Sequence, residues 1–208
     1  MALRTRIKMC GMTRIEDVQA AEAAGADAIG LVFYPPSSRA VSIEQAQPLA
    51  AAKGLFMQSV ALVVDEDPGL IRELLQSVNI DIIQFHGNES ADFCQQFGKP
   101  YIKALRARSA EDIRQGLTEH DQATAIMLDA YVKGVPGGTG QVFDWSLIPE
   151  GLNDRLVLAG GLTADNVAEA IMQIRPYAVD VSGGIEATKG IKSAEKMQCF
   201  AQEVARVN

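Results

Sequence analysis

Short apolar runs alternate with longer amphipathic stretches along the whole chain. The apolar runs are Arg6–Cys10, Ala28–Phe33, Met57–Val64, Asp81–His86, Tyr101–Leu105, Ala125–Asp129, Leu156–Ala159 and Ala178–Ser182. Their length and near-continuous apolarity predict strands buried on both faces. The stretches Ile15–Ala24, Pro68–Val78, Ser90–Phe97, Ala110–Leu117, Ala164–Ile174 and Ala194–Ala205 predict helices between them. Another helix opens at Ser42, ahead of Ile43, with Gln45 in the reciprocal capping-box position. Thr13 is the expected N-cap of the first helix. After the sixth strand, Phe143–Ile148 leaves room for about one helical turn.

The strands recur every roughly 20–30 residues, one strand–helix unit each, which is the rhythm of a parallel α/β protein. No Pro/Gly/Ser linker or charge run divides the chain, so residues 1–208 read as a single domain. Eight unbroken units predict an α/β fold of the (β/α)8 TIM-barrel type, at the short end of its usual length. The rival is an open doubly wound sheet, but the Gly-rich dinucleotide fingerprint that should follow strand one is absent from Cys10-Gly11-Met12-Thr13.

Composition narrows the function. With 48% hydrophobic and 22% charged residues the chain is an ordinary globular protein. Its net charge of −7 argues against nucleic acid as a partner. No run approaches the roughly 20 apolar residues of a membrane span. Arg4, Arg6 and Lys8 precede no signal-peptide core. Cys10, Cys94 and Cys199 show no CxxC spacing, and His86 and His120 are the only histidines. Neither a disulfide framework nor a metal site is expected, and a reducing cytoplasm is the default location.

Side chains of a strand alternate between faces. Lys8 therefore shares a face with Cys10, Gln84 with His86, and Asp180 with Ser182, while Asp129 ends strand six. If these faces point inward they converge at the C-terminal mouth, where barrels of this type build active sites. Each residue also has a plainer reading. Cys10 can be a small packing residue, Asp129 a cap, His86 a strand-end group bonded to backbone, and Lys8 either a thiolate partner or a salt-bridged lysine. Cys94 and Cys199 lie in helical patterns with apolar neighbours and are expected to pack.

Gly160-Gly161 ends strand seven, and Ser182-Gly183-Gly184 ends strand eight. Loops at these two places commonly hold phosphate, because glycine lets backbone N–H groups approach an anion. Arg39 closes the stiff segment that begins at Tyr34-Pro35-Pro36, and it suits a bidentate grip on a carboxylate or a solvated surface position. The Gly-rich stretch Gly134–Gly140 suggests either a closing loop or a plain flexible connection.

In their order these motifs resemble the phosphoribosylanthranilate isomerase family of tryptophan biosynthesis. The resemblance is carried by Lys8-Met9-Cys10-Gly11-Met12-Thr13, Gly30-Leu31-Val32-Phe33, Tyr34 to Ser37 with Arg39, and Gln84-Phe85-His86-Gly87. It continues through Leu128-Asp129, Gly137-Gly138-Thr139-Gly140, Phe143-Asp144-Trp145, Leu158-Ala159-Gly160-Gly161-Leu162 and Asp180-Val181-Ser182-Gly183-Gly184-Ile185-Glu186. Departures are Met9 and Met12 beside the thiol, and Ala130 after Asp129.

The resemblance implies an Amadori rearrangement without a cofactor, in which a phosphorylated aminosugar opens and becomes a ketose. It implies Asp129 as general acid, Cys10 as general base with a lowered pKa, and Arg39 on the anthranilate carboxylate. It further implies His86 and Asp180 lining the cleft, and Gly160, Gly161, Ser182, Gly183 and Gly184 on the phosphate. A monomer is the expected assembly, with a homodimer as the alternative.

Three other readings compete. An indole-glycerol-phosphate synthase would need lysine chemistry and a longer N-terminal extension. A metal-dependent epimerase would need more histidines. A non-catalytic phosphate sensor would keep the glycine pairs but would have no use for both Cys10 and Asp129.

Overall fold

The computed structural model describes residues 4–106, 109–129, 148–149 and 151–208. Eight parallel strands close into a barrel in chain order: β1 (Arg6–Cys10), β2 (Ala28–Phe33), β3 (Gln58–Val63), β4 (Ile82–Phe85), β5 (Tyr101–Arg106), β6 (Ala125–Asp129), β7 (Leu156–Ala159) and β8 (Ala178–Val181). Pairing of β1 with β8 makes the closure, with Lys8 opposite Asp180. The helices are α1 (Ile15–Ala23), α2 (Ile43–Ala51), α3 (Pro68–Ser77), α4 (Ala91–Gln95), α5 (Ala110–Glu119), α6 (Val167–Ile174) and α7 (Ala194–Arg206). The expected barrel is therefore the observed one. Among the described residues no helix is long and apolar enough to cross a membrane.

Strand alternation divides the core in two. Ile7, Met9, Ile29, Leu31, Ile83, Phe85 and Leu128 point outward and join the layer under the helices. Val60, Ile102, Ala104, Ala125, Met127, Val157, Ala159 and Ala178 fill the barrel interior. The same parity turns Lys8, Cys10, Gln84, Asp129 and Asp180 inward, and they occupy the C-terminal half of the interior, above this apolar plug.

Local signals decide the helix ends. The Ser42–Gln45 capping box forms as expected, with Gln45 N–H donating to Ser42 Oγ at 3.2 Å and Ser42 N–H to Gln45 Oε1 at 2.9 Å. A cap of this kind contributes about 1 kcal/mol. Thr13 does not cap α1. Arg14 holds that position, and the Thr13 hydroxyl donates to the Gly190 carbonyl at 2.7 Å, because a distant hairpin competes for it.

That hairpin, β9 (Glu186–Thr188) and β10 (Ile191–Lys192), was not expected. Two and three residues are too few to register as a hydrophobic period. It follows a short 3₁₀ turn, Gly183–Ile185, at the end of β8. Cys94 is buried as expected, but Cys199 is exposed. The buried positions of α7 are Met197, Phe200, Ala201 and Val204. Residue 199 falls off that 3–4 spacing and faces solvent. The turn expected after β6 and the Gly134–Gly140 stretch lie outside the described residues, Ile148 apart.

Candidate active site

The floor of the mouth is a buried ion pair. Lys8 Nζ donates to Asp180 Oδ1 at 2.6 Å, and the two side chains are 4% and 11% exposed. Burial disfavours the Lys8 ammonium, but Asp180 and then Cys10 outweigh it, and the Lys8 pKa is raised. Lys8 is thus the salt-bridged lysine of the plainer reading, and it also faces Cys10.

Cys10 lies one inward position further along β1 and is buried. It pairs in register with Gly30 of β2. A Cβ on Gly30 would stand 2.6 Å from the Cys10 sulfur, so glycine is what leaves space for the thiol. The direction of the Cys10 pKa differs from expectation. Burial pushes the thiol up, and Asp180 adds to this, while Lys8 and Lys192 pull it down without cancelling the rise. A strand-end position suggests solvent, but Cys10 is buried, and a buried thiolate loses hydration.

Asp129 ends β6 and is part-exposed. Around the closed ring β6 is separated from β1 by β7 and β8, so Asp129 and Cys10 enter the mouth from different walls. His86 follows β4 and places Nε2 at 3.4 Å from Asp129 Oδ2. Its other nitrogen, Nδ1, is 3.0 Å from Gln84 Nε2. With the Gln84 amide as donor, Nδ1 is the acceptor and Nε2 carries the proton toward Asp129. Gln84 Oε1 is buried and has no partner among the described residues.

The two glycine pairs also come together. Gly160 and Gly161 have φ of +90° and +65°, a backbone that side chains rarely tolerate. Gly184 packs directly on the Leu162 carbonyl, so a Cβ there would collide with backbone. The loops after β7 and β8 therefore touch. The Ser182 hydroxyl is already engaged: it donates to the Cys10 carbonyl at 3.0 Å.

Arg39 is neither free nor solvated. It is half-buried, with its Nε donating to Glu186 Oε1 at 2.6 Å and a terminal nitrogen to Oε2 at 2.8 Å. Its stem crosses Gly11, where a Cβ would stand 2.5 Å from Arg39 Cδ. Glu186 also receives Lys192 at 3.2 Å and the Gly190 N–H at 3.2 Å. Burial raises the Glu186 pKa, but Arg39 and Lys192 reverse this and hold it low. Sequence reading quoted Glu186 only as part of a motif and missed Lys192 altogether. The signal available was weak, a Lys at the end of a two-residue strand.

An apolar cavity of about 430 Å³ opens elsewhere, lined by Phe33, Tyr34, Val41, Ile43, Leu70 and Leu74 among others. It lies outside the barrel and contains none of the mouth's ionisable groups. No group of three or more His, Cys, Asp or Glu with metal-binding geometry occurs among the described residues.

Comparison with known proteins gives a consistent match. The family model for N-(5'phosphoribosyl)anthranilate (PRA) isomerase covers residues 7–203. The N-(5'-phosphoribosyl)anthranilate isomerase of Pseudomonas fluorescens is 55% identical over 203 residues, 98% of this chain and 97% of the relative. Among solved structures, the phosphoribosyl anthranilate isomerase of Thermotoga maritima superposes with a TM-score of 0.89 at 36% identity, covering 97% of this chain and 99% of that one. A second structure of such an isomerase holds reduced 1-(o-carboxyphenylamino)-1-deoxyribulose 5-phosphate. It matches with a TM-score of 0.85 at 35% identity, again covering 97% and 99%.

Proposed function

This chain belongs to the N-(5'-phosphoribosyl)anthranilate isomerase family, and from that premise we propose that it performs the isomerisation with Asp129 as acid and Cys10 as base. The reaction serves tryptophan biosynthesis and uses no cofactor. The observation that carries the reading is the delivery of the Asp129 carboxyl and the Cys10 thiol into a single mouth from β6 and β1.

Asp129 donates a proton to the ribose ring oxygen, the C1′–O bond breaks, and the nitrogen lone pair forms a protonated Schiff base. The Cys10 thiolate then removes the C2′ proton, and its electrons neutralise the iminium to give an enolamine. Loss of the 2′-hydroxyl proton and protonation at C1′ yield the ketone, 1-(2-carboxyphenylamino)-1-deoxyribulose 5-phosphate. No electrons enter or leave. Groups acting as acid and base in this way typically contribute 10²–10⁴-fold each. His86 Nε2–H, beside Asp129, orients the carboxyl and lines the cleft with Asp180.

Arg39 is the carboxylate clamp. Glu186 occupies two of its nitrogens and fixes the guanidinium plane, leaving the remaining N–H groups for the anthranilate carboxylate. Backbone N–H groups of Gly160, Gly161, Gly183 and Gly184 take the phosphate, with Ser182 holding that loop to β1. The three free thiols fit a reducing cytoplasm.

The test follows the fluorescence of phosphoribosylanthranilate as it is consumed. Cys10→Ser and Asp129→Asn are each expected to lower kcat by at least roughly 10²-fold. Near-normal turnover in either variant sinks the role assigned to that residue.

A further inference from the structure

Lys192 is a buried lysine with no part in the chemistry above. Its side chain is 0% exposed. Nζ donates to the Ser182 carbonyl at 3.0 Å and contacts Ser182 Oγ at 3.4 Å and Glu186 Oε1 at 3.2 Å. Ser182 in turn donates to the Cys10 carbonyl, so one residue separates the ammonium from the thiol-bearing strand. The β9–β10 hairpin delivers this side chain, and it is tied down on its far side: Asp17 Oδ2 accepts from the Lys192 N–H at 3.4 Å, and an Arg14 terminal nitrogen donates to the Lys192 carbonyl at 3.4 Å.

The charges around Cys10 do not balance. From β1 comes Lys8, from β8 Asp180, from the loop after β2 Arg39, from β9 Glu186 and from β10 Lys192; β2 presents only Gly30. Lys8 and Asp180 neutralise each other. Glu186 is a single carboxylate shared by Arg39 and Lys192. In this cluster three cations thus face two anions among the described residues; Asp129 of β6 and His86 after β4 pair with each other on a different wall of the mouth. A Cys10 thiolate supplies the missing negative charge, whereas a neutral thiol leaves a buried ammonium under-compensated, a costly arrangement.

We propose that Lys192 is a positioning residue that makes the Cys10 thiolate accessible, acting as its buried counter-charge rather than touching substrate. The proposal rests on the reading of Cys10 as base and deepens it. Two directions agree with it. Lys192 is among the groups that lower the Cys10 pKa. Burial pushes the Lys192 pKa down overall, and Glu186 and then Cys10 offset part of that fall.

The experiment titrates the Cys10 thiolate by its ultraviolet absorbance in a Cys199→Ser background, with kcat/KM measured over the same pH range. Cys94, pushed up to about 12 by burial, stays silent. Lys192→Met is expected to move the thiolate titration and the acidic limb of kcat/KM upward together by on the order of one pH unit, a roughly tenfold loss of thiolate at each pH below it. Lys192→Arg should restore most of that shift. Glu186→Gln, which leaves Lys192 and Arg39 without their anion, should move the titration the opposite way.

A merely structural lysine would not give opposite shifts on removing the cation and the anion. A folded Lys192→Met protein whose thiolate titrates as in the parent overturns the proposal. If Lys192→Met fails to fold, Glu186→Gln decides: a downward shift supports the proposal, and no shift or an upward one refutes it. Failure of the catalytic reading looks different, since Cys10→Ser would then turn over normally whatever the titrations show.

Discussion

At the residue scale, the thiol's freedom is set by a residue with no side chain. Gly30 faces Cys10 across the β1–β2 pairing, and a Cβ there would meet the sulfur at 2.6 Å and the Cys10 Cα at 3.1 Å. The strand backbone cannot retreat, because both neighbours are fixed in the closed barrel. The thiol would therefore rotate away. Gly30→Ala should cost about 1–3 kcal/mol through overpacking, but should lower kcat by on the order of 10²-fold, since displacement of a reacting group by about 1 Å has that effect. Urea unfolding and steady-state kinetics on the same preparation check both halves. A variant with parental kcat would mean that the sulfur's present position is not the working one. Asp129 stood out in the sequence because a carboxylate closing an apolar run contradicts the pattern around it, whereas Cys10 fits an apolar strand and was singled out by the family resemblance. The Gly30 requirement was not legible, since it depends on which residue a neighbouring strand places opposite.

At the element scale, the loops after β3 and β4 are locked together by a second buried ion pair on the outer face of the barrel. Lys103 of β5 donates to Glu89 at 2.7 Å and to the Gly87 carbonyl at 2.8 Å. Glu89 also accepts from the Asp65 N–H at 2.8 Å and the Gly87 N–H at 3.0 Å. His86 precedes this knot, so the knot fixes the residue facing Asp129. The partners are unequal. With Lys103→Met, the Glu89 carboxylate keeps its backbone donors. With Glu89→Leu, Lys103 keeps a single carbonyl and two N–H groups lose their acceptor. Breaking a buried pair costs about 3–5 kcal/mol, and Glu89→Leu should be the more damaging change. Denaturant midpoints of the two variants measure the order, and a reversed order would show that the lysine carries the knot. All eight strands were legible because short length and near-continuous apolarity agree. The β9–β10 hairpin and this knot were not, because each is made by residues distant in sequence whose local pattern is ordinary loop.

At the scale of the whole molecule, chemistry and connectivity sit at opposite ends of the barrel. Cys10, Asp129, Asp180 and the Gly160 and Gly183 loops all lie where strands end, while the helix-to-strand turns close the other face. One such turn holds Gly98, at φ +65° and with open space where a Cβ would be. Thr5, just ahead of β1, also meets Asn208, just past α7. Asn208 accepts from the Thr5 N–H at 2.7 Å and donates to the Thr5 carbonyl at 3.2 Å, while β1 and β8 complete the ring beside them. The fold therefore depends on ring closure rather than on where the chain is cut. A permutant joined from residue 208 to residue 1 through a short Gly/Ser linker, and opened at Gly98–Lys99, should fold with the same barrel. It should hold kcat/KM within roughly tenfold of the parent, less than the loss from removing one acid–base group, because no mouth residue changes its neighbours. The cost should appear instead as a lower denaturant midpoint, since β5 loses its covalent tie to α4. A permutant with the parental circular dichroism but turnover as low as Cys10→Ser would show that the lower face does set the geometry of the mouth.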